Sequence, residues 1–279
     1  EKRVWNDVTA ATGTADGEFD TVDGAFADFD HDGDLDIFCV NFGGPNELLN
    51  NNLDGTFRPI AKEQGMPGPG PGSMQVLPVD RDSHRDLDII VLNKQPPHDV
   101  WVNDRLWKYR ETEEFESLRQ SQIDAIISGD PNGVGDVRLY GAAERRTGIE
   151  RAARFEFKMD ANDTWLKSEL RDPPDWGRGA AKRYFGIPAI AMSDVDGSGT
   201  ASLLLFENDG MSQWRIQDGS LIGGLHDGQG KFNGWNVVEF STSLGPATIA
   251  GSKNGPLVWK PGPGRFPFAT VQFSGRKDA

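Results

Sequence analysis

Short apolar runs, each preceded by a cluster of alternating polar residues, recur along the chain. The pattern occurs in DFDHDGDLDIFCV at 28–40, DRDSHRDLDIIVL at 80–92, SGDPNGVGDVRLY at 128–140 and DVDGSGTASLLLF at 194–206. Apolar runs of this length predict short strands that are buried on both faces. A second turn follows each run, as in DGTF at 54–57, DRLW at 104–107, NDTW at 162–165 and GQGKF at 228–232. These turns predict a further strand that begins with a large aromatic residue.

The polar clusters begin at residues 28, 80, 128 and 194, which defines a tandem repeat. Repeats of about 50 residues built from short strands predict an all-β fold, a β-propeller of about five blades or a fragment of a larger one. The fifth unit, GSKNGPLVW at 251–259, keeps the strand but not the acids. We predict a single domain over residues 1–279, with an insertion at 167–186 that accounts for the wider spacing before the fourth cluster.

Aromatic residues divide into two groups by their place in the repeat. One group recurs at a single repeat position and is predicted to pack in the core: Phe57, Trp107, Trp165, Phe232 and Phe266. Trp176 lies outside the repeat, in the predicted insertion, with Arg178 close by. An exposed Trp beside Arg is a candidate anchor for a sugar or a protein. The alternative is a Trp that packs onto its own loop.

Composition narrows the classes of partner. The chain has 29 Lys and Arg against 43 Asp and Glu, a net charge of −14. This balance argues against nucleic acid, because phosphate binding requires clustered basic residues. No apolar stretch reaches the roughly 18 residues of a membrane-spanning helix, so we expect no membrane insertion. Cys39, the single cysteine, cannot form an internal disulfide.

The first polar cluster has the residue types and the spacing of a cation-binding loop. Calcium binds about six to eight oxygen ligands, and acids at alternate positions of a tight loop converge on one point. Position 6 of the loop is Gly33, which permits a sharp turn, and the predicted ligands are Asp28, Asp30, Asp32, Asp34 (through its carbonyl) and Asp36. Position 12 is the apolar-strand residue Cys39, so the loop is not an EF-hand.

The other three clusters carry weaker versions of the same pattern. In the second, His84 and Arg85 interrupt the acids, and the predicted ligands are Asp80, Asp82, Asp86 and Asp88. The third offers Ser128, Asp130, Asn132, the Val134 carbonyl and Asp136. The fourth offers Asp194, Asp196, Ser198, the Thr200 carbonyl and Ser202. The alternative for each loop is an Asx-turn hairpin that is satisfied by its own hydrogen bonds.

The whole pattern resembles the FG-GAP/VCBS family of calcium-binding β-propeller repeats. The similarity is greatest over residues 24–65, which resemble repeats found beside ASPIC/UnbV-type tails, although this chain has no recognisable tail of that type. The resemblance implies calcium loops between neighbouring strands of a blade, with ligands at positions 1, 3, 5, 7 and 9.

The motifs of common catalytic sites are absent: the sequence has no HExxH, GxSxG, GxxxxGK[ST] or CxxC. We therefore predict a non-enzymatic, calcium-stabilised module that binds a protein or a glycan, or acts as a scaffold, in an extracellular or periplasmic location after removal of any signal peptide. Two alternatives remain open. One is a carbohydrate-active enzyme, a polysaccharide lyase or hydrolase, which the resemblance implies; the other is a multivalent lectin.

Overall fold

The chain forms short antiparallel strands in two compact units, Glu1–Arg171 and Asp172–Ala279. A computed structural model describes residues 6–15, 19–66, 72–82, 84–131, 134–143, 153–170, 189–193, 200–207, 210–216, 221–225, 232–242, 245–252 and 257–259.

The first unit contains three four-stranded sheets, which we call blades 1, 2 and 3, and in each the strands neighbour one another in chain order. Blade 1 consists of β1 (Asp20–Ala27), β2 (Asp36–Phe42), β3 (Glu47–Asn51) and β4 (Phe57–Pro59). Blade 2 consists of β5 (Ser73–Val79), β6 (Asp88–Asn93), β7 (Asp99–Asn103) and β8 (Tyr109–Glu111). Blade 3 consists of β9 (Ala125–Gly129), β10 (Arg138–Ala143), β11 (Ala153–Met159) and β12 (Trp165–Glu169). Two four-residue helices, α1 (Thr9–Thr12) and α2 (Glu116–Arg119), precede blades 1 and 3.

The second unit contains one further four-stranded sheet, blade 4, and a three-stranded sheet. Blade 4 consists of β13 (Ala189–Ser193), β14 (Ser202–Glu207), β15 (Gly210–Arg215) and β16 (Leu221–Leu225). The last sheet consists of β17 (Phe232–Thr242), β18 (Gly245–Ser252) and β19 (Leu257–Trp259).

Strand β6 shows why a continuous apolar run follows the acidic loop. All six of its residues are buried. Ile90 and Leu92 lie in the core shared with blade 3, whereas Ile89 and Val91 lie in the core shared with blade 1. Successive side chains point to opposite faces of a strand, so a strand between two packed blades needs apolar residues at every position. The prediction of strands buried on both faces is confirmed here.

The fold is all-β, as predicted, with four four-stranded antiparallel meanders of the kind that form propeller blades. The count of five blades is not confirmed, because the described residues of the last sheet form three strands. The predicted insertion at 167–186 begins inside β12, and residues 171–188 lie outside the described residues.

Candidate cation site

Each acidic loop joins the first two strands of a blade, and the strand register aligns the loops residue by residue. We number each loop from the residue after its first strand, so that position 9 is the residue paired with the end of that strand. These closing pairs are Ala27 with Asp36, Val79 with Asp88, Gly129 with Arg138 and Ser193 with Ser202. Position 9 therefore holds an acid in blades 1 and 2, a base in blade 3 and a hydroxyl in blade 4.

Three acids of the blade 1 loop converge on one point. Asp28, Asp30 and Asp36 offer carboxylate oxygens that all lie within 4.8 Å of one another. In the described part of the chain, no other group of three or more His, Cys, Asp or Glu side chains meets this condition. Carboxylates at this spacing are the ligands that a hard divalent cation prefers. The structure thus brings together the first, second and last of the predicted side-chain ligands.

Asp36 is held by two backbone N–H groups, one from the loop itself and one from the end of β3. Its side chain accepts one hydrogen bond from Phe29 N–H at 3.0 Å and another from Asn51 N–H at 3.0 Å. The residue is 1% exposed, so its carboxylate cannot move into solvent. Burial raises the pKa of Asp36 to about 6, although the two backbone hydrogen bonds oppose the shift.

The rest of the loop is a tight turn made of Asx hydrogen bonds. Gly33, with φ of 96°, donates its N–H to Asp28 Oδ2 at 3.2 Å. Asp30 Oδ1 accepts the Asp32 N–H at 3.1 Å, and Asp32 Oδ1 accepts the Asp34 N–H at 3.1 Å. Asp32 is exposed and lies outside the convergent group. Its carboxylate accepts a hydrogen bond within the turn.

Several loop oxygens fit a bound cation better than they fit the protein alone. Asp28 Oδ1 and both carboxylate oxygens of Asp34 are shielded from solvent and have no hydrogen-bond partner. Desolvation raises the pKa of Asp30 and of Asp34, and the neighbouring loop carboxylates add to the shift. Buried carboxylate oxygens are normally paired, and a cation would pair these and relieve the repulsion between them.

The blade 2 loop contains its own cation, the Arg81 guanidinium. Arg81 Nε lies 2.9 Å from Asp88 Oδ2, and its terminal nitrogens lie 3.0 Å from Glu114 Oε2 and 3.7 Å from Asp82 Oδ2. The Arg81 side chain is only 10% exposed. Burial nevertheless raises the pKa of Asp88 to about 7. Two of the predicted acids, Asp82 and Asp88, thus lie beside a basic side chain of the loop itself.

The remaining predicted ligands of the blade 2 loop are also engaged. Asp80 Oδ2 accepts the Arg85 N–H at 3.0 Å, and Arg85 takes the positive φ, 74°, that glycine takes in blade 1. Asp86 pairs with Arg105 Nε at 2.9 Å and lies 3.3 Å from His31 Nε2 of the blade 1 loop. Arg85 therefore replaces the glycine of blade 1 without changing the turn. The loop differs from that of blade 1 through Arg81, because the Arg81 guanidinium lies beside the acids of the loop.

The blade 3 loop has a different register from the one the sequence suggested. Ser128 lies inside β9 and pairs with Leu139, so position 1 is Asp130, which accepts the Gly135 N–H at 2.6 Å. The alignment of Ser128 with Asp28 is corrected by two residues, because strand pairing sets the loop ends. Asp136 then falls at position 7 and Arg138 at position 9.

Basic residues engage the acids of the blade 3 loop as well. Arg138 lies 2.6 Å from Asp136 and 2.8 Å from Glu156, and Lys158 lies 3.3 Å from Asp136. Hydrogen bonding from Arg138 lowers the pKa of Asp136. Val134 is 74% exposed, and Asn132 lies outside the described residues.

The predicted fourth loop is described only at its end. Ser202 is buried at position 9, and its hydroxyl accepts a hydrogen bond from Gln213 at 3.1 Å. Thr200 is described, whereas Asp194, Asp196, Ser198, Trp176 and Arg178 lie outside the described residues.

Two asparagines that were not among the predicted site residues tie the loops of blades 1 and 2 to the outer hairpins of these blades. Asn51 donates its N–H to Asp36, and Asn103 donates its N–H to Asp88 Oδ1 at 2.9 Å. Their side chains reach back to the loops, with Asn51 Nδ2 donating to Leu35 O at 3.2 Å. The signal was present in the sequence, since both asparagines stand 15 residues after the closing acid.

Comparison with known proteins supports the repeat assignment. Residues 28–91 match the family model of the FG-GAP-like repeat, which confirms the resemblance over the first two loops. The chain is 25% identical over 183 residues to cartilage acidic protein 1 of Homo sapiens, covering 64% of this chain and 27% of that protein. It is 27% identical over 186 residues to the Xenopus tropicalis protein of the same name, again covering 64% and 27%. The chain therefore spans less than a third of the length of these relatives.

Two solved structures share the fold at low sequence identity. The extracellular domain of a one-component system from B. thetaiotaomicron matches with a TM-score of 0.50 and 11% identity, over 85% of this chain and 26% of that one. A lectin from Agrocybe aegerita that recognises non-reducing terminal N-acetylglucosamine matches with a TM-score of 0.50 and 15% identity, over 88% and 65%. At these identities the likeness concerns the fold alone. In the described part of the chain, no helix is long and apolar enough to cross a membrane.

Proposed function

We propose that this chain is a calcium-stabilised binding or scaffold module of propeller blades, with its principal calcium site in the blade 1 loop. The observation that carries the proposal is the convergence of Asp28, Asp30 and Asp36 in a segment that matches the FG-GAP-like repeat. The carboxylate oxygens of Asp28 and Asp34 that have no hydrogen-bond partner offer further calcium ligands on the same loop.

We propose that the loops of blades 2 and 3 do not bind calcium, because arginine side chains already neutralise their acids. Arg81 lies among Asp82, Asp88 and Glu114, and Arg138 lies between Asp136 and Glu156. A guanidinium repels a divalent cation at this range, so calcium binding there would require the arginine to leave. This narrows the predicted set of calcium ligands to the blade 1 loop for the described residues.

An extracellular or periplasmic location follows from the expected affinity. Extracellular calcium modules have Kd of about 10⁻⁴ to 10⁻³ M, and cytosolic calcium would leave such a site empty. At about 1 mM calcium, one site would add roughly 0.4–1.4 kcal/mol to the free energy of unfolding. Calcium would therefore act on stability, and the partner, a protein or a glycan, would be met elsewhere on the blades.

The test of the calcium site is thermal unfolding with 1 mM calcium chloride and with a chelator, on the wild type, Asp30→Asn and Asp82→Asn. We expect calcium to raise the Tm of the wild type by a few degrees, since about 1 kcal/mol corresponds to roughly 2–4 °C at this chain length. Asp30→Asn should lose the calcium response because it removes a ligand charge. Asp82→Asn, the same change at position 3 of the blade 2 loop, should keep it.

A wild-type Tm that is identical in calcium and chelator would overturn the proposed site. Equal loss of the response in both variants would contradict the restriction to blade 1. The binding role has a separate test, a glycan array and a polysaccharide-cleavage panel. Cleavage of a polysaccharide would replace the proposed role with an enzymatic one.

A further inference from the structure

The outer hairpins of blades 1, 2 and 3 contain turns of the same length. Each turn is closed by a backbone hydrogen bond from its first residue to its fifth: Asn52 N–H to Thr56 O at 2.9 Å, Asp104 N–H to Lys108 O at 2.8 Å and Asp160 N–H to Thr164 O at 2.9 Å. The strand residue that follows each turn is aromatic, as in Phe57, Tyr109 and Trp165. The three turns can therefore be compared position by position.

This alignment corrects the predicted place of Trp107. Tyr109 pairs with Asn103 as Phe57 pairs with Asn51, so Tyr109 is the strand aromatic of blade 2. Trp107 lies inside the turn, two residues before the strand aromatic. The prediction that Trp107 recurs with the strand aromatics is wrong, because the turns were aligned by their aromatic residues rather than by their strands.

The middle position of the turn faces solvent in all three blades. It holds Asp54 and Asn162, which are exposed, and Leu106, which is 70% exposed. In blade 3 the turn is an Asx turn, in which Asp160 Oδ1 accepts the Asn162 N–H at 2.8 Å and the Thr164 N–H at 3.0 Å. Asn162 therefore lies at the tip of the hairpin on a backbone that the turn fixes.

Residues 162–164 read Asn-Asp-Thr, which is the acceptor motif for asparagine-linked glycosylation. No other asparagine of the chain is followed two residues later by Ser or Thr. A glycan is bulky and hydrophilic, so a folded protein can carry one only where the acceptor side chain is on the surface. The exposed tip of the blade 3 hairpin meets this condition.

We propose that Asn162 is a site of asparagine-linked glycosylation, with a lipid-linked oligosaccharide pyrophosphate as the donor. The Asn162 amide nitrogen forms a bond to the anomeric carbon of the first sugar, and the bond from this carbon to the pyrophosphate oxygen breaks. The lipid pyrophosphate leaves with the electron pair, and the amide proton passes to a base of the transferase. Thr164 completes the motif that the transferase recognises. The inference rests on the proposed extracellular location, because the transfer takes place during export.

The glycan lies at the end of blade 3 that carries the acidic loop of that blade. Lys158, which precedes the turn, lies 3.3 Å from Asp136 of the loop, so the loop and the turn share this end of the blade. A hydrophilic oligosaccharide attached there keeps this end of blade 3 in contact with solvent. We therefore expect a protein partner to bind another surface of the blades.

The experiment is secretion of the whole chain from cultured mammalian cells behind a cleavable signal sequence, followed by peptide N-glycosidase F and mass spectrometry. We expect one mobility step that the glycosidase removes, with conversion of residue 162 to aspartate in the tryptic peptide 159–167. Asn162→Gln and Thr164→Ala should lack the glycan, whereas Thr164→Ser should retain it. Asn52→Gln is the matched control, because it makes the same change in the blade 1 turn outside any acceptor motif, and it should keep the glycan.

Asp54→Asn tests the position in the turn. It creates an acceptor motif that ends at Thr56, with the new asparagine at the position that Asn162 occupies in blade 3. Because both tips are exposed, we expect the variant to show a second mobility step that the glycosidase removes. A single step in a variant with the wild-type Tm would contradict the argument that exposure at the tip makes Asn162 an acceptor.

A wild-type chain without a glycan would overturn the inference, whether it is secreted or, if secretion fails, translated in the presence of microsomes. The peptide 159–167 of protein isolated from its natural source should also carry the glycan, and detection of the unmodified peptide alone would overturn the inference as well. The calcium response of the secreted wild type separates the two proposals. A glycosylated chain without that response would overturn the calcium site alone, and a responsive chain without a glycan would overturn the inference alone.

Discussion

The cation loops of blades 1 and 2 have the same backbone and differ in what neutralises their acids. Position 1 of each loop accepts the N–H of position 6, at 3.2 Å in blade 1 and 3.0 Å in blade 2. The closing acid of each accepts an N–H from the asparagine of the outer hairpin. The decisive difference is position 2, which is Phe29 in blade 1 and Arg81 in blade 2.

The same turn is therefore stabilised in two different ways in blades 1 and 2. Phe29 is fully buried in the core between blades 1 and 2, and it leaves the acids of its loop to converge without a basic partner among the described residues. In blade 2, the Arg81 guanidinium instead lies beside the acids of the loop. A buried charge needs a partner, and a covalently attached guanidinium supplies one whatever the calcium concentration.

The largest effect is expected from removing the internal cation of blade 2. Arg81→Ala leaves Asp88, which is 2% exposed, without its basic partner. Breaking a buried ion pair from one side typically costs about 3–5 kcal/mol. Urea unfolding in chelator should show a loss of free energy of unfolding in this range.

Arg58→Ala is the control for Arg81→Ala, since Arg58 pairs with Glu63 at 3.0 Å on the surface, with both side chains more than half exposed. Exposed pairs contribute about 0–1 kcal/mol, so this variant should remain close to the wild type. Equal losses in the two arginine variants would mean that Arg81 is no more than a surface charge.

The two loops also show which features the sequence could predict. Asp36 and Asp88 were identifiable because an acid followed by a buried strand recurs at a fixed spacing. Arg81 could not be identified as a partner of these acids from the sequence. Position 2 lies between the predicted ligand positions 1 and 3, and the guanidinium reaches the acids only because the arginine side chain is long and flexible. The error at Ser128 has a related cause: Ser and Asp both offer oxygen, whereas pairing with Leu139 places Ser128 in the sheet.

A smaller effect is expected from acidification, and it acts on blade 1. The pKa of Asp36 is raised to about 6 by burial. Without calcium, Asp36 therefore stabilises the fold most when protonated, and its contribution declines as the pH rises from about 4 to 6. Calcium requires the carboxylate, so its Kd should rise about tenfold between pH 7 and pH 5, with proton release on binding.

Calorimetric calcium titrations at the two pH values, in two buffers of different ionisation enthalpy, measure both quantities. A Kd that is constant between pH 5 and pH 7 would show that Asp36 does not take part in binding. Arg81→Ala offers a sharper form of the comparison, since an additional calcium ion bound by that variant, beyond the blade 1 ion of the wild type, would identify the guanidinium as the replacement for a cation in blade 2.

The smallest effect is expected where the two loops meet. His31 Nε2 lies 3.3 Å from Asp86 Oδ1, but the His31 side chain is 39% exposed and Arg105 Nε already pairs with the other oxygen of Asp86 at 2.9 Å. We expect His31→Gln to change the free energy of unfolding by less than about 0.5 kcal/mol and to leave the Kd for calcium unchanged, because His31 is exposed and Arg105 remains as the partner of Asp86.

Urea unfolding and calcium titration of His31→Gln check this expectation, with Asp30→Asn measured in parallel. Blade 2 contacts the blade 1 loop through Asp86, which lies 3.3 Å from His31 Nε2, and through Asn103, whose side chain donates to Phe29 O at 2.9 Å. Neither contact involves the side chains of the convergent group Asp28, Asp30 and Asp36. If His31→Gln weakened calcium binding as much as Asp30→Asn, the contact between His31 and Asp86 would support the site, and the loops of blades 1 and 2 would form one cation-dependent unit rather than two independently neutralised turns.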